Sequence, residues 1–373
     1  MAPKKFTSVR PKLLAVVGAR PNFMKIAPIW RALQHTRFFD LCLCHTGQHY
    51  DENMSKVFFD DLELPRPDVY LGVGSGSHAA QTGRILIEFE KTMIGEQPDL
   101  VIVVGDVNST MACTLASVKA GVPVAHVEAG LRSFDRSMPE EINRMVTDIL
   151  CGDLFTTSPE AHTNLVHEGV DEDRIHFVGN VMIDSLLYYA DRWERSGVLE
   201  TLSLAPGGYG LVTLHRPSNV DNAQVFAGIV EAMVEIGGEM PLVFPVHPRT
   251  RNMLRDNHIE IPNERVRLID PIGYLDFMKL MRYSSLVLTD SGGIQEETTA
   301  LKIPCLTIRE NTERPITCEI GTNTLVGTAR ERIVSEARRV LREGVGNAAM
   351  PDLWDGHAAD RIAEVLKARF DVH

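Results

Sequence analysis

Residues 286–300 read LVLTDSGGIQEETTA. The apolar, β-branched Leu286–Thr289 fits a short buried strand, Gly292 and Gly293 fit a tight turn, and a helical stretch follows. Glycines there let the backbone approach a phosphate, whose charge suits the free N–H groups and positive dipole end of the next helix. Glu296 and Glu297 fall in the first turns of that helix, near enough for one carboxylate to bind both hydroxyls of a ribose. The plainer alternative is an ordinary strand–helix turn with solvent-facing carboxylates. Thr312-Glu313-Arg314-Pro315, after the next strand, offers a guanidinium that suits a diphosphate.

The same alternation extends outward in both directions. Strand candidates in the first half are Leu13–Val17, Leu41–His45, Leu100–Val104, Val124–Val127, Leu154–Thr157 and Ile175–Val178. A second series runs Gly210–Leu214, Leu242–Val246, Val266–Ile269, Leu286–Thr289, Cys305–Ile308 and Asn323–Val326. Helical patterns lie between them, at Thr110–Ala120, Glu140–Leu150, Val225–Ile236 and Arg330–Arg342. Continuous apolar strands alternating with helices predict parallel sheets covered on both faces, so the fold class is α/β with two Rossmann-like halves. Between the series, Asp191–Gly208 has no strand of its own and reads as the weak point. In open parallel sheets a ligand sits beyond the carboxyl ends of the strands. The loops there are polar in both halves, which predicts a site in a cleft between two domains.

A length of 373 residues suits about two domains. Lys+Arg 38 against Asp+Glu 50 gives a formal charge of −12, which lacks the basic field of a general nucleic-acid binder. A phosphate-bearing ligand must then be held by a few local cations. Leu100–Val104 and the other apolar runs fall well short of the roughly 20 residues that span a bilayer. Met1–Lys12 followed by Leu13–Val17 imitates a signal peptide only loosely, since Arg20-Pro21 stands where a small-residue cleavage site belongs. The six cysteines form no Cys-x-x-Cys pair, which fits a reduced, cytoplasmic protein.

Asp106 and Glu128 each end an apolar run beside a glycine-containing turn, and Pro139-Glu140-Glu141 opens a helix. Carboxylates grouped in this way can divide acid and base roles between them. Helix capping is the plainer reading for Glu140 and Glu141. Gly72-Val-Gly74-Ser-Gly76 lacks the strand–turn–helix setting of a dinucleotide fingerprint. His126-Val-Glu128 matches half of a zinc deaminase signature, but no Pro-Cys-x-x-Cys follows. The remaining histidines lack metal-ligand spacing, so neither a metal nor a cofactor is expected.

Taken together, these segments resemble the non-hydrolysing UDP-N-acetylglucosamine 2-epimerases. The resemblance runs through Gly18-Ala-Arg-Pro21, His45-Thr-Gly-Gln-His49, Gly105-Asp106, His126-Val-Glu-Ala-Gly-Leu-Arg132, Pro139-Glu-Glu-Ile-Asn-Arg144, His215-Arg216, Pro245-Val-His247, Asp290-Ser-Gly-Gly-Ile-Gln-Glu-Glu297 and Thr312-Glu-Arg-Pro315. It implies a two-domain fold like the B-type glycosyltransferases, a homodimer, a UDP-sugar substrate and no redox cofactor or metal. By the resemblance, residues 1–182 form a first domain with the acid–base carboxylates and 183–358 a second that binds UDP, while 359–373 form a helix returning to the first. It assigns catalysis to Asp106, Glu128 and Glu140 with His215 beside them. It assigns substrate binding to Arg20, Lys25, His247, Ser291, Gly292, Gly293, Glu297 and Arg314.

Gln48, His49 and Arg84 match positions of an activating second nucleotide-sugar site. Asp51 stands where activated members usually carry a neutral residue, so weak or absent activation is expected. The variant runs Gln48-His49-Tyr50-Asp51 and His215-Arg216-Pro217-Ser218-Asn219 occur in a branch that includes epimerases of diacetamido uronic acid nucleotides, which leaves the sugar substituents open. A hydrolysing epimerase would share these motifs. A B-type glycosyltransferase would share the nucleotide cradle without needing the carboxylates.

Overall fold

The computed structural model describes residues 10–48, 62–262 and 264–371. The chain divides into two compact units, Met1–Ser185 with Asp352–His373, and Leu186–Pro351. Each is built on a parallel sheet.

In the first unit the strands are β1 (Lys12–Val17), β2 (Asp40–His45), β3 (Val69–Tyr70), β4 (Leu100–Val104), β5 (Val124–Ala129), β6 (Asp153–Thr156) and β7 (Ile175–Phe177). Their order across the sheet is β3-β2-β1-β4-β5-β6-β7, with all neighbours parallel. Every residue of β4, LVIVV, is buried, as a central strand covered on both faces requires. Strand β3 was not expected from sequence, because two residues at a sheet edge carry no pattern.

In the second unit β8 (Gly210–Thr213), β9 (Leu242–Pro245), β10 (Val266–Ile269), β11 (Leu286–Thr289), β12 (Cys305–Thr307) and β13 (Asn323–Leu325) take the order β10-β9-β8-β11-β12-β13. The helix Ala223–Gly237 begins where Asn222 Oδ1 accepts the N–H groups of Gln224 and Val225 at 3.1 and 3.2 Å. Its Phe226, Ile229, Val230, Met233 and Ile236 fall on one face and enter the core. Each such side chain contributes roughly 1.5–3 kcal/mol on burial. In both sheets the strand order reverses once, between β1 and β4 and between β8 and β11. Those two switch points are where an α/β sheet opens a crevice for a ligand.

Residues 191–208, expected as the weak point between the two series, belong to the second unit. Trp193 is buried, Lys279 Nζ donates to Glu194 Oε2 at 2.6 Å, and Ser196 Oγ donates to Asp276 Oδ1 at 2.5 Å, all within the second unit. The units divide after Ser185 and Pro351 rather than after 182 and 358. The second shift has a clear cause: Trp354 is buried in the first unit, with Nε1 donating to the Thr157 carbonyl at 2.9 Å. The helix Ala358–Asp371 then buries Ile362 and Leu366. Asp184 caps it, accepting from the N–H groups of Ala358 and Ala359 at 3.2 and 2.7 Å. Burial pushes the Asp184 carboxyl up to about 6 although those two N–H groups pull it back. Among the described residues no helix is long and apolar enough to cross a membrane.

Candidate active site

The first unit places its chemistry at the β1/β4 switch point and on the neighbouring β5. Gly105 follows β4 at φ 69° and its N–H donates to the Val127 carbonyl at 3.1 Å. Val104 pairs with Val127, so Asp106 and Glu128 leave adjacent strand ends together. Glu128 is itself at φ 73°, a left-handed conformation that costs a non-glycine residue on the order of 1–3 kcal/mol. Such strain persists where the surroundings over-determine it, as at functional sites.

Each carboxylate has its own cation. Lys25 Nζ, from the helix Arg20–Thr36, pairs with Glu128 Oε2, and both residues are buried. Arg144 Nη1, from the helix Pro139–Leu150, meets Asp106 Oδ2 at 2.5 Å, and its Nη2 meets Glu141 Oε2 at 2.6 Å. Gly105 sits in the left-handed region that favours glycine, and a Cβ there would also press on Lys25 Nζ at 2.9 Å. Asn22 braces the same floor. Its Oδ1 accepts from the Gly18 and Ala19 N–H groups at 3.1 and 2.9 Å, and its Nδ2 donates to the Val104 carbonyl at 3.1 Å.

Glu140 and Glu141 part company. Glu141 is buried and accepts from the N–H groups of Ser133 and Phe134 as well as from Arg144. Burial would raise its pKa, but those donors outweigh it and hold the carboxyl below its ordinary value. Its role is to fold the 133–134 loop back and aim Arg144. Glu140 is half-buried in the helix's first turn.

Gln48 is buried at the frame of this site, its Oε1 accepting from Ser109 N and Oγ at 3.0 and 2.7 Å. Arg84 is exposed and donates from Nη2 to the Ser75 carbonyl at 2.8 Å. His49 and Asp51 lie outside the described residues, as does the side chain of Arg20.

The second unit builds its site at the β8/β11 switch point. Asp290, fully buried, accepts from the N–H groups of His215 (3.1 Å) and Arg216 (2.9 Å) and from Asn219 Nδ2 (3.2 Å). It thereby shapes the loop after β8. His215 Nδ1 stands 3.2 Å from Asp290 Oδ1 while its side chain is 55% exposed, so the ring is oriented by a buried carboxylate and its other nitrogen is available to a ligand.

The helix Gly292–Leu301 follows β11 directly, and Ser291 at its N-cap makes no side-chain capping bond. The first-turn N–H groups therefore have no partner from that cap. A Cβ on Gly293 would meet nothing within 4 Å, whereas one on Gly292 would stand 2.4 Å from Arg314 Nη1 and 2.6 Å from Glu313 Oε1. Arg314 is buried against this turn, with Nη1 2.5 Å from Glu313 Oε1 and Nε 2.9 Å from Glu296 Oε1. Arg309 Nη2 bonds the other Glu313 oxygen at 2.7 Å. Burial would raise Glu313, but Arg314 and Arg309 outweigh it and keep its carboxyl far below the usual range.

Glu297 goes the other way. Burial and the neighbouring Glu296 push its carboxyl up to about 8, against a smaller pull from the Tyr274 hydroxyl. At neutral pH it is then mostly protonated, which spares an anion-binding turn one negative charge. His247 is exposed just beyond β9.

The first unit thus carries Lys25, Asp106, Glu128 and Glu140, and the second carries His215, His247, Ser291, Gly292, Gly293, Glu297 and Arg314. Sequence reasoning gave no role to Asp290, Arg144 or Glu313. Asp290 and Glu313 carried a signal in standing beside the glycine turn and Arg314. Arg144 carried one only as the last residue of the motif Pro139–Arg144, since its local pattern is that of any arginine on a helix.

A family model described as UDP-N-acetylglucosamine 2-epimerase matches residues 31–367. The UDP-N-acetylglucosamine 2-epimerase of Methanocaldococcus jannaschii is 43% identical over 363 residues, covering 95% of this chain and 98% of that protein. Its crystal structure with UDP-GlcNAc and UDP superposes with a TM-score of 0.89 at 42% identity, covering 96% of this chain and 99% of that one. The UDP-2,3-diacetamido-2,3-dideoxy-D-glucuronate 2-epimerase of Pseudomonas aeruginosa is 42% identical over 361 residues, 95% of this chain and 99% of that protein. With two parallel sheets of this order and a match of this extent, the chain belongs to the UDP-N-acetylglucosamine 2-epimerase family.

Proposed function

We propose that the protein interconverts UDP-N-acetylglucosamine and UDP-N-acetylmannosamine without hydrolysis, supplying precursors of surface polysaccharides. The C2 hydrogen of the substrate is not acidic, because no ketone stands beside it. Breaking the C1–O bond first, or nearly so, puts cationic character on C1 and makes that hydrogen removable. A carboxylate takes the C2 proton, the C–H electrons form the C1–C2 double bond of a glycal, and UDP leaves with the C1–O pair. A proton then reaches the other face of C2, and the UDP oxygen returns to C1. The scheme needs proton-transfer groups for both faces and strong stabilisation of the departing diphosphate.

Asp106, Glu128 and Glu140 are the acid–base groups in this reading. Arg314, His215 and the helix turn at Ser291–Gly293 hold the diphosphate, with Glu297 at the ribose. The observation that carries the proposal is the pairing of Asp106 with Arg144 and of Glu128 with Lys25 at adjacent strand ends. Such an arrangement keeps proton-accepting groups in place, and a simple nucleotide-binding protein has no need of it.

Proton NMR of the full chain with UDP-N-acetylglucosamine tests it. Accumulation of UDP-N-acetylmannosamine to a constant ratio is expected, and steady release of free N-acetylmannosamine with UDP means hydrolysis instead. The similarity to the Pseudomonas aeruginosa enzyme supports a second substrate reading, a UDP-diacetamido uronic acid. Comparison of kcat/KM for the two nucleotide sugars decides between them.

A further inference from the structure

Beneath the two strand-end carboxylates lies a buried charged network that the scheme above does not use. His126, in the middle of β5 and wholly buried, has Nδ1 2.6 Å from Asp148 Oδ1 and Nε2 2.8 Å from the Gly105 carbonyl oxygen. Asp148, also wholly buried, accepts from the Gly130 N–H at 3.1 Å and from Arg132 Nη1 at 2.7 Å through Oδ2. Arg132 continues to Glu168 at 2.6–2.7 Å. A carbonyl oxygen can only accept, and an ionised carboxylate can only accept, so each ring nitrogen of His126 must carry a hydrogen. The donors Gly130 N–H and Arg132 on its Oδ2 require Asp148 to be ionised independently of His126. Burial would raise its carboxyl, but His126 and Arg132 outweigh burial and hold it below its ordinary value.

The two ends of this network are the two turns that carry the chemistry. One is the Gly105 carbonyl, the peptide that leads into Asp106. The other is the Gly130 N–H, which closes the turn after Glu128. Gly130, at φ 79°, is pressed so closely on the helix Pro159–His167 that a Cβ would stand 2.2 Å from the Ala161 carbonyl oxygen, so that turn cannot relax in that direction. We infer that His126 is held as a buried imidazolium by Asp148 and acts as a positioning residue that fixes the Asp106 and Glu128 turns relative to each other. The inference rests on the acid–base reading of those two carboxylates.

The charged and titratable groups around the ring are Asp148 and Arg132, with Glu168 on Arg132, Cys151 beside Asp148, and the Lys25–Glu128 pair just beyond on β5. Asp148 is the anion in direct contact with the ring, so replacing it by a neutral amide should let His126 lose a proton as pH rises. The lost proton is one of the two N–H bonds that tie the turns together.

The test uses the full chain labelled with 15N-histidine, with His126→Gln identifying the resonance. Two ring N–H signals from His126 at pH 8 are expected, and a single N–H there overturns the inference. Turnover of His126→Gln should fall by roughly 10–100-fold, as misplaced catalytic groups generally cause, with UDP affinity by calorimetry within about threefold. In Asp148→Asn turnover should be partly kept at low pH and lost as pH rises, a limb absent from the parent. A pH profile parallel to the parent's contradicts the inference. If Asp148→Asn does not fold, the NMR of the parent and the kcat of His126→Gln decide. If Asp106→Asn and Glu128→Gln both turn over at the parental rate, the acid–base reading fails, while the ring N–H count still stands or falls by itself.

Discussion

Glu128 and Asp106 are the residues on which the chemical account turns. Each meets a cation at its carboxylate, so an isosteric amide removes proton transfer while leaving shape and part of the hydrogen bonding. Asp106→Asn and Glu128→Gln should each lower turnover by about 10²–10⁴-fold. UDP affinity, measured by calorimetry, should change little, because these residues belong to the unit that does not carry the glycine turn. Glu128→Gln also leaves Lys25 buried without its anion, so a loss of stability by about 3–5 kcal/mol accompanies it.

Glu297 predicts the opposite balance. Its carboxyl titrates near 8 in the folded chain against an ordinary value of 4.5, so the native state holds the proton more tightly than the unfolded chain. Its contribution is favourable below about pH 4.5 and is lost as pH rises through 8. Glu297→Gln does not titrate, and should therefore gain stability over the parent as pH rises, by about 2–4 kcal/mol at pH 9 and little at pH 5. Urea unfolding at the two pH values checks this. The same variant should bind UDP more weakly. A residue that costs stability yet is needed for binding separates function from scaffold. Sequence reading put Glu297 in the first turns of this helix, but it could not foresee the pushed-up carboxyl, which depends on burial against Glu296 and Tyr274.

At the scale of the element, the strand and helix of segment 286–300 were legible from β-branched residues, two glycines and a helical run, although Gly292 and Gly293 open the helix instead of forming a separate turn. The two glycines differ in a way no sequence could tell. A Cβ on Gly292 collides with Arg314 and Glu313, whereas one on Gly293 meets open space. Gly293→Ala should leave the melting temperature within a degree or two, since surface changes away from packed features stay within about 0.5 kcal/mol. It should still weaken UDP binding by tenfold or more if the diphosphate approaches that turn, because a methyl group would hold it off. Gly292→Ala should lose both stability and affinity. Calorimetry together with thermal melts of the pair distinguishes the two effects. Strand β3 and the packing of residues 191–208 escaped sequence reading for a common reason. Two edge residues carry no periodicity, and a charged stretch rich in turns looks like a linker until Trp193 and Lys279 are seen to pin it down.

At the scale of the whole molecule, each unit repeats one plan, a parallel sheet whose order reverses once, with candidate site residues beside the reversal. The chain returns to its first unit through Trp354 and the helix Ala358–Asp371. Leu366, wholly buried, makes this return testable: Leu366→Ala should cost about 2–5 kcal/mol in urea unfolding, as large-to-small changes in a core do. In the proposed reaction the C2 proton leaves to a carboxylate and comes back from one. The reaction run in heavy water, with UDP-N-acetylglucosamine followed by NMR, examines it directly. UDP-N-acetylmannosamine with solvent deuterium at C2 is the expected product. Product that keeps its original hydrogen at C2 would contradict it.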